Sequence, residues 1–173
     1  MHARCYRMLW ALALAALPPA AHAATVVGSY TSWTLYRDDS AGAVCFLAAT
    51  PSDQTPPGAQ RNAPRFYISS WVKEGVKAEI SVRLGFPMKK GLEPILTVSG
   101  RANDPLSPPF KMFFKDDKAF IADPTTELKL LDTMKKGSKL TIEATSDRGT
   151  AVTDTYPLAG ITAALQALAG GCK

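Results

Sequence analysis

The residues of this chain that could do chemistry are two adjacent acid pairs, Asp38-Asp39 and Asp116-Asp117, a Ser138-Lys139 step, and the lysine doublets Lys89-Lys90 and Lys135-Lys136. Two carboxylates act as acid and nucleophile only when they flank one bond at roughly 5 to 9 Å. Neighbours on a strand point to opposite faces, so both pairs read as turn residues that satisfy local backbone donors. Asp38 to Gly42 lacks the alternating acids and distal glutamate of a calcium loop. Ser138 and Lys139 diverge in the same way on entering a strand. The lysine doublets read as a solvated face, with contact to an anionic envelope surface as the competing reading.

Histidine is the side chain whose ordinary pKa suits acid-base work near neutrality. The sequence holds two, His2 and His22, and both fall in a segment with the layout of a secretory signal peptide. Arg4 and Arg7 form a basic start, Met8 to Leu17 a short apolar run, and Pro18-Pro19 followed by Ala21-His22-Ala23 a breaker and a small-x-small cleavage site. The run is shorter than the 18 to 20 apolar residues of a membrane span. Cleavage after Ala23 leaves 150 residues with no histidine, two cysteines and eighteen basic against fifteen acidic side chains, net +3. The expectation is a periplasmic or secreted protein, not integral to a membrane, with no catalytic residue, cofactor or metal. Nucleic acid is not expected as a partner.

Two cysteines in an exported chain are expected to pair. A bridge from Cys45 to Cys172 closes a loop of 127 residues, worth up to about 5 kcal/mol in the loop-entropy picture, and fastens the C-terminus to the body.

The elements that position these residues follow from periodicity. Val26 to Tyr36 and Ala43 to Ala49 have strand composition around the polar loop Asp38 to Gly42. Setting Arg37 opposite Ala43 places Trp33 opposite Leu47 and Leu35 opposite Cys45, which gives one apolar face. Thr50 to Pro64 carries four prolines, a glycine and almost no apolar side chain, and is expected to be a long exposed, partly flexible loop.

Phe66 to Val72 and the alternating Val76 to Leu84 make a hairpin about Lys73-Glu74-Gly75. Ile95 to Ser99, Phe110 to Phe114 and Ala119 to Ala122 add short strands. Asp123-Pro124 supplies an N-cap with Pro behind it, and Leu128, Leu131 and Met134 mark a helix over about 128–136, stopped by Gly137. Leu140 to Thr145 and Ala151 to Tyr156 close a last hairpin, and Leu158, Ile161, Leu165 and Leu168 mark a second helix over about 158–168. Roughly eight short strands with two helices predict a mainly β, antiparallel β-sandwich in a single domain, 24–173. Phe110, Phe113, Phe114 and Phe120 are either a stacking platform or sandwich core, with core favoured. Phe110, Phe113 and Phe114 with Lys89 and Lys90 form the candidate interaction surface.

Several stretches resemble the invasion-associated locus B family of exported bacterial proteins: Thr133 to Gly137, Thr145 to Thr150, Asp154-Thr155-Tyr156-Pro157-Leu158-Ala159-Gly160, and Ala163 to Leu165. Trp33 with Cys45, the Phe66 to Arg83 hairpin and Gly85-Phe86-Pro87 fit the same family's front half. The resemblance implies an immunoglobulin-like β-sandwich of the bacterial periplasm or envelope, with some relatives linked to host-cell invasion, and brings no catalytic residue set. The functional expectation is a non-enzymatic module for an envelope or host protein. A small-molecule or glycan binder is the alternative.

Overall fold

The computed structural model describes residues 24–40, 43–71 and 73–171; the expected leader 1–23 and Cys172 lie outside the described residues. Among the described residues, twelve strands and two helices follow in the order β1 (Thr25–Tyr30), β2 (Trp33–Asp38), β3 (Val44–Ala49), β4 (Asp53–Thr55), β5 (Arg65–Trp71), β6 (Val76–Arg83), β7 (Ile95–Ser99), β8 (Phe110–Lys111), β9 (Phe113–Lys115), β10 (Lys118–Phe120), α1 (Pro124–Lys136), β11 (Lys139–Thr145), β12 (Ala151–Pro157) and α2 (Ile161–Ala169). They form a seven-stranded antiparallel sheet, β1-β2-β3-β5-β6-β10-β9, and a five-stranded one, β4-β12-β11-β7-β8. The protein is a β-sandwich with helical additions, as the strand pattern predicts.

The core follows from the period-2 alternation of the strands. Leu35, Leu47, Phe66, Ile68, Ile80 and Val82 point inward from the larger sheet, and Leu96, Val98, Leu140, Ile142 and Tyr156 from the smaller. The chain crosses between sheets at Met112, which is wholly buried between β8 and β9. The single strand expected over Phe110 to Phe114 is therefore two, one in each sheet.

Both helices pack on the larger sheet, α1 against β6 and α2 against β1, β2 and β3. The Asp123 carboxylate accepts from the Thr126 N–H at 2.8 Å as the N-cap, so α1 begins a turn earlier than the periodic stripe suggests. Its inward stripe is Glu127, Leu130, Leu131 and Met134, while Leu128 is 65 % exposed. The second helix starts at Ile161, not Leu158, because Gly160 at φ +87° sits where any Cβ would lie 2.1 Å from the Tyr30 carbonyl oxygen. Leu158 is still buried in the core.

Three further expectations need correction. Val26 to Tyr36 is two strands, because the chain reverses at Thr31-Ser32 to pair Tyr30 with Trp33. The β2–β3 register is displaced by two residues: Leu35 opposes Leu47 and Arg37 opposes Cys45. Ala43 adopts φ +65° and so belongs to the turn, while Asp38 continues the strand. A displacement of two preserves parity, and Trp33, Leu35, Cys45 and Leu47 all remain buried.

The third correction concerns Thr50 to Pro64, which is stitched to the body rather than loose. It contains β4, paired with β12 from Thr55↔Thr153 to Asp53↔Thr155, and its Asn62 N–H donates to the Gly85 carbonyl at 3.1 Å. Its main anchor is Arg61, whose side chain is 4 % exposed beside an Asp154 that is 0 % exposed. The guanidinium grips both Asp154 oxygens, donates to the Leu84 carbonyl at 2.8 Å and to Gln54 Oε1 at 2.9 Å, and lies over the Phe86 ring. A charge-assisted bidentate pair offsets the ordering entropy that the loop's apolar content cannot.

Candidate functional site

The acids singled out by sequence sit in or beside turns: Asp38 ends β2, and Asp39, Asp116 and Asp117 lie in the turns themselves. Asp38 Oδ1 accepts from the Ser40 N–H at 2.9 Å, and Asp39 pairs with Arg37. Asp116, at φ +55°, and Asp117 form the β9–β10 turn. Ser138 donates to the Ser99 carbonyl at 3.2 Å just before β11. Among the described residues no three or more Cys, Asp or Glu side chains gather to hold a metal ion. No described helix is long and apolar enough to cross a membrane.

The candidate surface of Phe110, Phe113, Phe114, Lys89 and Lys90 is divided by the fold. Phe110 is 6 % exposed and belongs to the core, and Phe114, opposite the buried Ala119, packs against it. Lys89 and Lys90 are exposed on the connection after β6, which is bonded to the end of β11 through Lys89 N–H to Thr145. Phe113 alone of the three phenylalanines turns to solvent, 48 % exposed and stacked on Phe120 with ring centroids 5.2 Å apart.

Phe113 and Phe120 belong to a larger array on the solvent side of the seven-stranded sheet. Strand register builds that face in rows. One row runs Thr34–Ala48–Tyr67–Ser81–Phe120–Phe113, and the next holds Tyr36, Phe46, Ser69 and Glu79. Tyr36 stacks on Phe46 at 5.1 Å, and Phe46 meets Tyr67 edge to face at 6.0 Å. Part of this face forms a groove of about 290 Å³ bordered by Asp38, Phe46, Tyr67, Glu79, Arg83 and Phe120, with Trp71 also on its wall. The indole N–H of Trp71 is buried with no hydrogen-bond partner among the described residues. Sequence reasoning missed Tyr36, Phe46, Tyr67 and Trp71, although aromatics falling out of phase with the buried positions of their strands were a readable signal.

Two further polar clusters are structural. Glu127 reaches from α1 to accept the Ile80 N–H at 2.9 Å, beyond the last residue of β10, and burial pushes its carboxyl pKa up. Tyr156, beside Asp154, is wholly buried; desolvation, with Asp154 adding to it, raises its hydroxyl far above the usual range.

The family model described as invasion-associated locus B (IalB) protein matches residues 33–169. The chain belongs to the invasion-associated locus B family. Among solved structures it is similar to the invasion-associated protein B of Bartonella henselae, with a TM-score of 0.60 at 14 % identity, covering 83 % of this chain and 95 % of that one. That identity supports a shared fold. No curated protein matches the sequence.

The stretches through which this chain resembles the family now have physical roles. Gly85, at φ +79°, lets the Thr50 to Pro64 segment cross it, since a Cβ there would lie 1.9 Å from the Asn62 carbonyl oxygen. Phe86 supplies the ring beneath Arg61. In the Asp154 to Gly160 stretch, Asp154 binds Arg61, Tyr156 meets Phe66 at 5.7 Å, and Pro157 accepts the Trp33 indole N–H at 3.2 Å. These residues hold the sandwich together, whereas the groove lies on its outside.

Proposed function

We propose that this invasion-associated locus B family member is an exported, non-enzymatic binding module that uses the solvent face of its seven-stranded sheet to engage a component of the bacterial envelope or of a host surface. The observation that carries this reading is the concentration of Tyr36, Phe46, Tyr67, Trp71, Phe113 and Phe120 on a sheet face that the sandwich core does not use. Aromatic side chains are enriched at interfaces because they bury large area at low entropic cost. The signal-peptide-like layout of residues 1–23 and the absence of histidine from 24–173 support export and a non-catalytic role. A pairing of Cys45 with Cys172 belongs to the same reading. Cys45 lies opposite Ser70, and Ser70 and Gly171 border one groove, which supports the pairing.

The test is capture from envelope extract by the wild-type protein and by a Tyr67→Ser/Phe113→Ser variant, with recovered protein and carbohydrate both analysed. A component held by the wild type and lost with the variant supports the reading. Equal recovery by both, or labelling of the protein by an active-site probe, contradicts it.

A further inference from the structure

A charge arrangement that the fold does not need runs past the groove, which its two middle members, Arg83 and Lys118, border. Arg65 pairs with Arg83, Arg83 with Lys118, and Lys118 with Lys115, so four cations stand in one cross-strand row on the solvent face. Three strand spacings make this row about 14 Å long. Like charges directly opposite one another oppose strand pairing. Among the described residues, none of the four has a carboxylate within salt-bridge distance, although Asp116 and Asp117 lie on the adjoining turn. Arg83 Nη2 donates to the Ala63 carbonyl at 3.1 Å, which orients the guanidinium without neutralising it, and its Nε is buried without a partner.

The neighbouring rows are of different chemistry. Beside the cations run Tyr67, Ser81, Phe120 and Phe113, and beyond them Phe46, Ser69 and Glu79. Crossing the groove therefore leads from cations, through aromatic rings and hydroxyls, to the carboxylates of Glu79 and Asp38.

We propose that this face binds an anionic saccharide chain, a deepening that rests on the binding reading above. Carboxylate, sulfate or phosphate substituents pair with Arg65, Arg83, Lys118 and Lys115 through charge-assisted hydrogen bonds. Sugar rings lie against Tyr67, Phe120 and Phe46, where the electron-rich ring faces meet polarised C–H groups. Ser69, Ser81 and Glu79 accept from sugar hydroxyls. The unpaired row selects an acidic glycan over a neutral one, and the acids on the far side disfavour a uniform polyanion.

The test is calorimetric titration of the purified protein with trigalacturonic acid and a chondroitin sulfate hexasaccharide, alongside neutral galactotriose and inorganic phosphate. At least one acidic saccharide is expected to bind, about tenfold or more tighter than galactotriose or phosphate. Arg83→Ser/Lys118→Ser should weaken it about tenfold or more, and a Lys89→Ser/Lys90→Ser control should not. Unchanged thermal stability in a second variant, Lys115→Ser/Phe113→Ser, keeps a loss of binding separate from a loss of folding. Failure of both acidic saccharides overturns the proposal, as does equal affinity for phosphate or indifference to the row variants. If both saccharides fail while a partner is still lost with the Tyr67→Ser/Phe113→Ser variant, the anionic saccharide is excluded and the binding reading survives.

Discussion

Arg83 on β6 stands directly opposite Lys118 on β10, and Lys118 in turn opposes Lys115 on β9. A sheet selected for stability alone would place an acid between two cations. Lys118→Glu is therefore expected to raise stability by a few tenths to about 1 kcal/mol, with the gain shrinking in high salt, while ligand capture is lost. Thermal denaturation at two salt concentrations, beside a binding assay, checks this. A destabilised variant would show that the row is not repulsive.

The Arg61–Asp154 pair predicts a large loss from a single change. Arg61→Ala leaves a fully buried carboxylate without its partner, and removing one member of a buried pair costs about 3 to 5 kcal/mol. Urea unfolding should show that loss. Arg61→Met combined with Asp154→Leu should recover a good part of it, because no charge is then left buried.

Glu127 gives a pH dependence with a defined sign. Burial raises its pKa in the folded state, so the fold favours the neutral acid. Its contribution is fully present below the ordinary glutamate value and is lost as pH rises through the raised folded value. Glu127→Gln keeps an acceptor for the Ile80 N–H and should flatten that part of the stability curve. Melting temperatures measured across mildly acidic pH decide the matter, and an unchanged profile would contradict it.

The proposed pairing of Cys45 with Cys172 has a separate check. Peptide mass mapping of the exported protein without reduction should recover a species joining the two cysteines. Labelling of two thiols under native conditions would contradict the pairing.

Much of the sandwich was legible because its strands alternate: Val82 and Leu84 point in while Arg83 points out, and the last hairpin pairs Leu140 with Tyr156 as its pattern implies. The Thr31-Ser32 reversal was hidden because its left-handed position, φ +56°, is held by Thr31, where a glycine or asparagine would have been the readable sign, and Ser32 alone marks a turn only weakly. Arg61 read as one polar residue of a proline-rich loop, since its partner Asp154 lies 93 positions away and only the tertiary fold brings them together. The groove was obscured for a related reason. Phe46 and Tyr67 read as ordinary strand residues until the register set them beside Ser69, Ser81 and Phe120 on the wet side.

The solvent face of the seven-stranded sheet as the working surface is tested most directly by photo-crosslinking in the native envelope. One protein would carry the crosslinker in the groove at Ser81, and a second would carry it at Thr141 on the other sheet, whose alternation with Leu140 and Ile142 turns it away from the core. Discrete adducts from position 81 and none from position 141 are the expected result. Adducts from position 141 alone, or from neither, would contradict the assignment.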